Sequence, residues 1–112
     1  MNMTTPLKIS VIIGSTRPER FSEKPAQWIF DMLKQQSGVE AELLDLRDYP
    51  LPFYNEAKSP CMLQQPYPNP AVQKWAEKIA EADGFIIVSP EYNHSTSGVL
   101  KNALDSVYHE WN

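Results

Sequence analysis

Cysteine is nearly absent from this chain of 112 residues. The single thiol, Cys61, excludes an internal disulfide and a cysteine-rich zinc site. Histidine occurs only at His94 and His109, with no ligand-spaced cysteine or carboxylate cluster nearby, so no metal site is expected. With only four glycines, neither GxGxxG nor GxxxxGK[ST] occurs, and no GxSxG elbow marks a serine nucleophile. Ten Lys+Arg stand against 14 Asp+Glu, a formal net charge of −4, and the cations do not cluster. That argues against nucleic acid as a partner, because phosphate neutralisation needs grouped Lys and Arg. No apolar run approaches the ~18–20 residues of a bilayer span. The opening MNMTTPLK lacks the charged-then-apolar pattern of a signal peptide, so a cytoplasmic chain with no membrane partner is expected. The length suits one domain over residues 1–112, and 42% apolar content is enough for a core.

What is present is an alternation of buried strands and amphipathic helices. Residues 8–13, KISVII, are apolar and β-branched with almost no alternation, as in a strand buried on both faces of a parallel sheet. Gly14 ends it. Ser22 is placed as a helix N-cap, and Ala26, Ile29, Phe30 and Leu33 make one apolar helical face that Gly38 closes. Residues 39–46 read as a second, less apolar strand. Residues 50–70 hold six prolines, which remove the donors that a helix or central strand needs. Asn69 and Pro70 open a second helix, with Val72, Trp75, Ala76 and Ile79 on its inner face. FIIVS (85–89) is a third strand. Leu100, Ala103, Leu104, Val107 and Trp111 predict a last helix running to the end of the chain, and the three tryptophans read as packing residues. The order β-α-β-loop-α-β-α predicts a doubly wound parallel sheet with right-handed crossovers, and ligands then bind beyond the carboxyl ends of its strands.

Two loops occupy those ends. The first, GSTRPERFS, offers the hydroxyls of Ser15, Thr16 and Ser22, the guanidinium forks of Arg17 and Arg20, and a helix start with unpaired N–H groups. That donor set suits a phosphate monoester; a solvated loop with surface arginines is the plain alternative. The second, SPEYNHS, leaves the sheet at Pro90 and carries Tyr92 and Asn93, an aromatic surface with polar edges that could hold a flat heterocycle. An ordinary loop whose tyrosine packs on the core is the competing reading.

Taken together, GSTRPER after the first strand, DLRDYPLP after the second and SPEYNHSTSGVLKNALD after the third resemble the NADPH-dependent FMN reductases of flavodoxin-like fold, relatives of quinone, azo-dye and chromate reductases. The resemblance runs from about Lys8 to Tyr108. It implies FMN and NADPH as cofactors. Ser15, Thr16, Arg17 and Ser22 would lie at the FMN phosphate, with Arg20 and Phe21 at more variable positions, and Pro90, Glu91, Tyr92 and Asn93 would border the flavin ring. It also implies hydride transfer from NADPH through the flavin to a small acceptor such as a quinone, an azo compound or free flavin. The chemistry belongs to the cofactor, so no catalytic side chain is assigned.

The family pattern continues with further strands and a third, glycine-rich loop, whereas this chain stops at Trp111-Asn112, as only the N-terminal portion of the flavodoxin-like sheet would. A non-enzymatic flavin-binding or electron-carrier module and an inactive truncated fragment therefore stand as alternatives. In strand order 2-1-3 the third strand becomes a bare edge, with apolar surface expected around Val11, Ile13 and Ile87. A homodimer, a homotetramer or association with a missing C-terminal segment is the expected state.

Overall fold

The computed structural model describes residues 5–111; residues 1–4, which open the MNMTTPLK segment, and residue 112 lie outside the described part. Three strands, β1 (Leu7–Ile13), β2 (Val39–Asp45) and β3 (Gly84–Val88), alternate with three helices, α1 (Glu23–Lys34), α2 (Pro70–Glu81) and α3 (Gly98–Asp105). The strands pair in parallel in the order β2-β1-β3. Val11 lies opposite Leu43 on one side and Ile86 on the other.

Side chains alternate across β1, which is why its apolar run is unbroken: both faces are covered. Val11 and Ile13 lie beneath α1 with Ala26, Ile29 and Phe30. Ile12 and Leu44 face the other way, toward Trp75 and Ile79 of α2 and Leu100 and Ala103 of α3. The expectation of open apolar surface around Val11 and Ile13 is therefore corrected. α1 and the side chains of Leu43, Ile86 and Val88 on the neighbouring strands bury both, and of the three expected positions Ile87, 42% exposed on β3, stands open. Among the described residues β3 pairs with β1 alone, so its outer edge carries no partner strand.

Three further expectations change. The last helix ends at Asp105 and a 3-10 turn, His109–Trp111, follows. At that point the Ser106 hydroxyl donates back to Asn102 O at 2.6 Å, and the Tyr108 N–H leaves the helical ladder to reach the Tyr67 hydroxyl at 3.1 Å. Local and tertiary bonds outcompete the next turn. Trp111 still packs, edge-on to Phe85 with ring centroids 5.1 Å apart. Trp28, by contrast, is 62% exposed on the outer side of α1 and is no core residue. Ser22 holds the N-cap position of α1, but in helical geometry and without a side-chain capping bond. Asn69 does cap α2, accepting from Ala71 N–H at 2.8 Å.

The proline-rich stretch is tied down at both ends. Asn102 of α3 donates to Pro52 O at 3.0 Å and accepts from Tyr54 N–H at 3.3 Å, and the buried Tyr67 donates to Glu110 at 2.6 Å. These clamps bring the start of that stretch, through Phe53, to the carboxyl end of the sheet.

Candidate functional site

At the end of β1 the Gly14 N–H donates to Val88 O of β3 at 2.8 Å. A Cβ on Gly14 would stand 2.9 Å from that same oxygen and 3.1 Å from Leu100 Cδ2. Glycine is needed here for the close approach of two backbone segments. Ser97 completes the junction. Its buried hydroxyl donates to Gly14 O at 2.5 Å and accepts from Leu100 N–H at 3.1 Å, so one serine caps α3 and ties that helix to the first loop.

The second loop doubles back tightly. Tyr92 and Ser95 exchange both backbone hydrogen bonds, at 2.9 and 3.1 Å, and Asn93 and His94 between them have φ of 52° and 68°. Two successive left-handed residues in a two-residue turn are the type I′ pattern, and Asn and His tolerate that region better than most side chains. The turn presents Tyr92 to the first loop. The Ser15 hydroxyl, and after it the Arg17 guanidinium, hold the phenol below its ordinary value of 10.0. A cation and a hydroxyl there already favour an oxyanion.

Ser15, Thr16, Arg17 and Tyr92 line one open cleft of about 340 Å³, together with Phe53, Ser97 and Val99. A neighbouring cavity of about 360 Å³ shares the wall made by Thr16, Phe53 and Val99 and extends to Tyr49 and Leu51. The remaining expected residues fall outside the cleft lining. Pro90, Glu91 and Asn93 belong to the Tyr92 loop, Ser22 is buried at the start of α1, and Phe21 is exposed. Arg20 is enclosed, 5% exposed, with its guanidinium on Asp45 and Glu23. Sequence reasoning missed Ser97 and Phe53, and it assigned no role to Asp45 and Arg47. The last two stand inside DLRDYPLP, a motif whose side chains meet the first loop only after β2 is paired beside β1.

A parallel α/β sheet with helices on both faces, whose two loops converge beyond the carboxyl ends of adjacent strands, defines a doubly wound protein, and the cleft lies where such sheets commonly bind ligands. The sequence profile of the NADPH-dependent FMN reductases matches residues 7–112, and the chain belongs to that family. It is 43% identical over 105 residues to NAD(P)H-dependent FMN reductase C4B3.06c of Schizosaccharomyces pombe, covering 94% of this chain and 52% of the relative. It is 35% identical over 105 residues to a 2-hydroxy-1,4-benzoquinone reductase of a Burkholderia species, again covering 94% of this chain and 52% of the relative. The flavodoxin-like fold is shared with the flavoenzyme NAD(P)H:(acceptor) oxidoreductase FerB of Paracoccus denitrificans. That match has a TM-score of 0.65 at 26% identity and covers 89% of this chain and 50% of the other. The chain thus spans about half the length of the curated relatives it matches. No helix among the described residues is long and apolar enough to cross a membrane.

Proposed function

We propose that this chain binds FMN and takes part in passing electrons from NAD(P)H to a small acceptor such as a quinone, an azo compound or free flavin. The observation that carries this reading is the convergence of Ser15, Arg17 and Tyr92 on one cleft at the β1 and β3 ends. The donor chemistry fits the cofactor. An arginine fork, two hydroxyls and backbone N–H groups suit a doubly charged phosphate ester, and Tyr92 gives an aromatic surface next to it. Ser15, Thr16, Arg17 and Ser22 would hold the phosphate end, with Arg20 and Phe21 beside them. Pro90, Glu91, Tyr92 and Asn93 would border the ring. Bound FMN supplies acceptance of hydride from NAD(P)H and its delivery to the acceptor. The residues of this chain bind and orient, and none is assigned as an acid or a base.

The names of relatives that reduce quinones support a quinone-type acceptor. The reading extends to a cytoplasmic chain forming a single FMN-binding unit, with the open edge of β3 covered by a second copy or by further chain. The test is direct. The chain, purified with FMN present, is expected to carry flavin absorbance and to support NADPH oxidation with 1,4-benzoquinone. Protein that stays colourless with FMN in excess, or that binds FMN without reacting with NADPH, would rule out the reductase.

A further inference from the structure

Three successive carbonyls of the first loop are held by two arginines. Ser15 O accepts from Arg20 Nη1 at 2.6 Å, Thr16 O from Arg47 Nε at 3.3 Å, and Arg17 O from Arg47 Nη2 at 2.6 Å. Both arginines lead back to one carboxylate. Arg20 grips Asp45 with a two-pronged fork, Nη1 to Oδ1 at 2.7 Å and Nη2 to Oδ2 at 2.5 Å. The Arg47 backbone N–H donates to Asp45 Oδ1 at 2.9 Å. Glu23, at the first turn of α1, lies 2.8 Å from Arg20 Nη2 and 3.6 Å from Arg47 Nη1.

The consequence for the loop is geometric. In a trans peptide the C=O of one residue and the N–H of the next point in opposite directions. Turning the Ser15 and Thr16 carbonyls onto the arginines therefore turns the Thr16 and Arg17 N–H groups the other way. The Arg17 N–H does reach the Ser15 hydroxyl, a group lining the cleft, at 3.3 Å. The Arg20 side chain is almost sealed from solvent, and its Nε has no hydrogen-bond partner among the described residues. An enclosed charge with an orphaned donor, outside the cleft, calls for an account.

We infer that Asp45, acting through Arg20 and Arg47, is a positioning residue: it braces the backbone of residues 15–17 so that the Thr16 and Arg17 N–H groups form part of a preformed anion seat, and it touches no ligand itself. This rests on the FMN reading for the identity of the anion. On this account Arg20 serves the phosphate end indirectly, while Arg17 is the arginine left exposed to meet it. Selectivity for a phosphorylated flavin over its dephosphorylated counterpart then depends on a carboxylate at the end of the neighbouring strand.

The test uses the whole chain with Asp45→Asn and Arg47→Ala. The second variant releases two carbonyls from an exposed side chain and leaves no buried charge, so it serves even where the first does not fold. Amide ¹⁵N relaxation on ligand-free protein is expected to show the loop order parameters falling from rigid values of about 0.85 toward 0.6 while β1 stays rigid. FMN binding should weaken roughly tenfold or more in both variants, equivalent to about 1.4 kcal/mol, with riboflavin binding unchanged. A loop that stays rigid in both variants overturns the inference, and so does an equal loss for FMN and riboflavin. If the unaltered chain takes up no FMN, the cofactor reading fails by itself, and the relaxation measurement still decides the brace.

Discussion

Replacing Gly14 by alanine drives a methyl group into the junction that brings the two loops together. Its carbon would stand 2.9 Å from Val88 O and 3.1 Å from Leu100 Cδ2. Neither neighbour can swing aside. Val88 O is backbone in β3, bonded to the Gly14 N–H, and Leu100 is fully buried between α3 and the sheet. Overpacking of this kind costs about 1–3 kcal/mol, and the stiffer unfolded chain returns about 0.4–1 kcal/mol. A net loss of roughly 1–2 kcal/mol in a domain of this size corresponds to a fall in Tm of about 5–12 °C. Gly98 supplies the control. It opens α3, has no atom within 4 Å of an added Cβ and no left-handed φ, so Gly98→Ala should be neutral or stabilising by up to about 1 kcal/mol. Thermal melts followed by circular dichroism separate the two. A Gly14→Ala protein melting at or above the unaltered chain would refute the close-approach argument.

Further outcomes follow from single side chains. Trp75 is fully buried and donates from Nε1 to Ala103 O at 2.9 Å, so Trp75→Phe should cost roughly 2–4 kcal/mol in urea unfolding through a cavity and an orphaned carbonyl. Burial pushes the Asp45 carboxyl up, but the Arg20 fork and the Arg47 N–H outweigh it and hold the group below its ordinary 3.8. The stability this carboxylate contributes is thus fully present above pH 3.8 and is lost as pH falls through its lowered folded value. The gap between the unaltered chain and Asp45→Asn, about 2–3 kcal/mol at pH 6 since a quarter of the Asp45 side chain meets water, should shrink in urea melts below pH 4. In a spectrophotometric titration Tyr92 should ionise ahead of Tyr49 and Tyr67, whose hydroxyls burial pushes up, and Arg17→Ala should move Tyr92 back toward 10.0.

The strands were legible because a parallel sheet covered on both faces leaves apolar runs that few other structures produce, and KISVII and FIIVS fall within a residue of β1 and β3. α1 and α2 were legible from apolar spacing, with Asn69-Pro70 marking one start almost to the residue. The end of α3 was not, because periodicity continues through Val107 and Trp111 while the backbone departs for bonds to Tyr67 that no local pattern announces. The exposure of Trp28 was hidden for a similar reason: it neighbours the apolar stripe of α1 without joining it. At the site, Ser15, Thr16, Arg17 and Tyr92 came from loop chemistry and resemblance, and they share one cleft. Arg20 read as a second fork beside Arg17, since nothing between positions 20 and 45 signals that β2 will set Asp45 against it. Ser97 escaped because its bond to Gly14 spans 83 positions.

The central claim is an anion seat for a phosphorylated flavin between Ser15, Arg17 and Tyr92, and calorimetric titration of FMN and riboflavin into the unaltered chain and Arg17→Ala tests it most directly. The unaltered chain is expected to prefer FMN, and Arg17→Ala to weaken FMN by about 1.5–3 kcal/mol, the scale of a hydrogen bond to a charged group, with riboflavin indifferent. Equal affinity for the two flavins, or equal losses on removing Arg17, would contradict it.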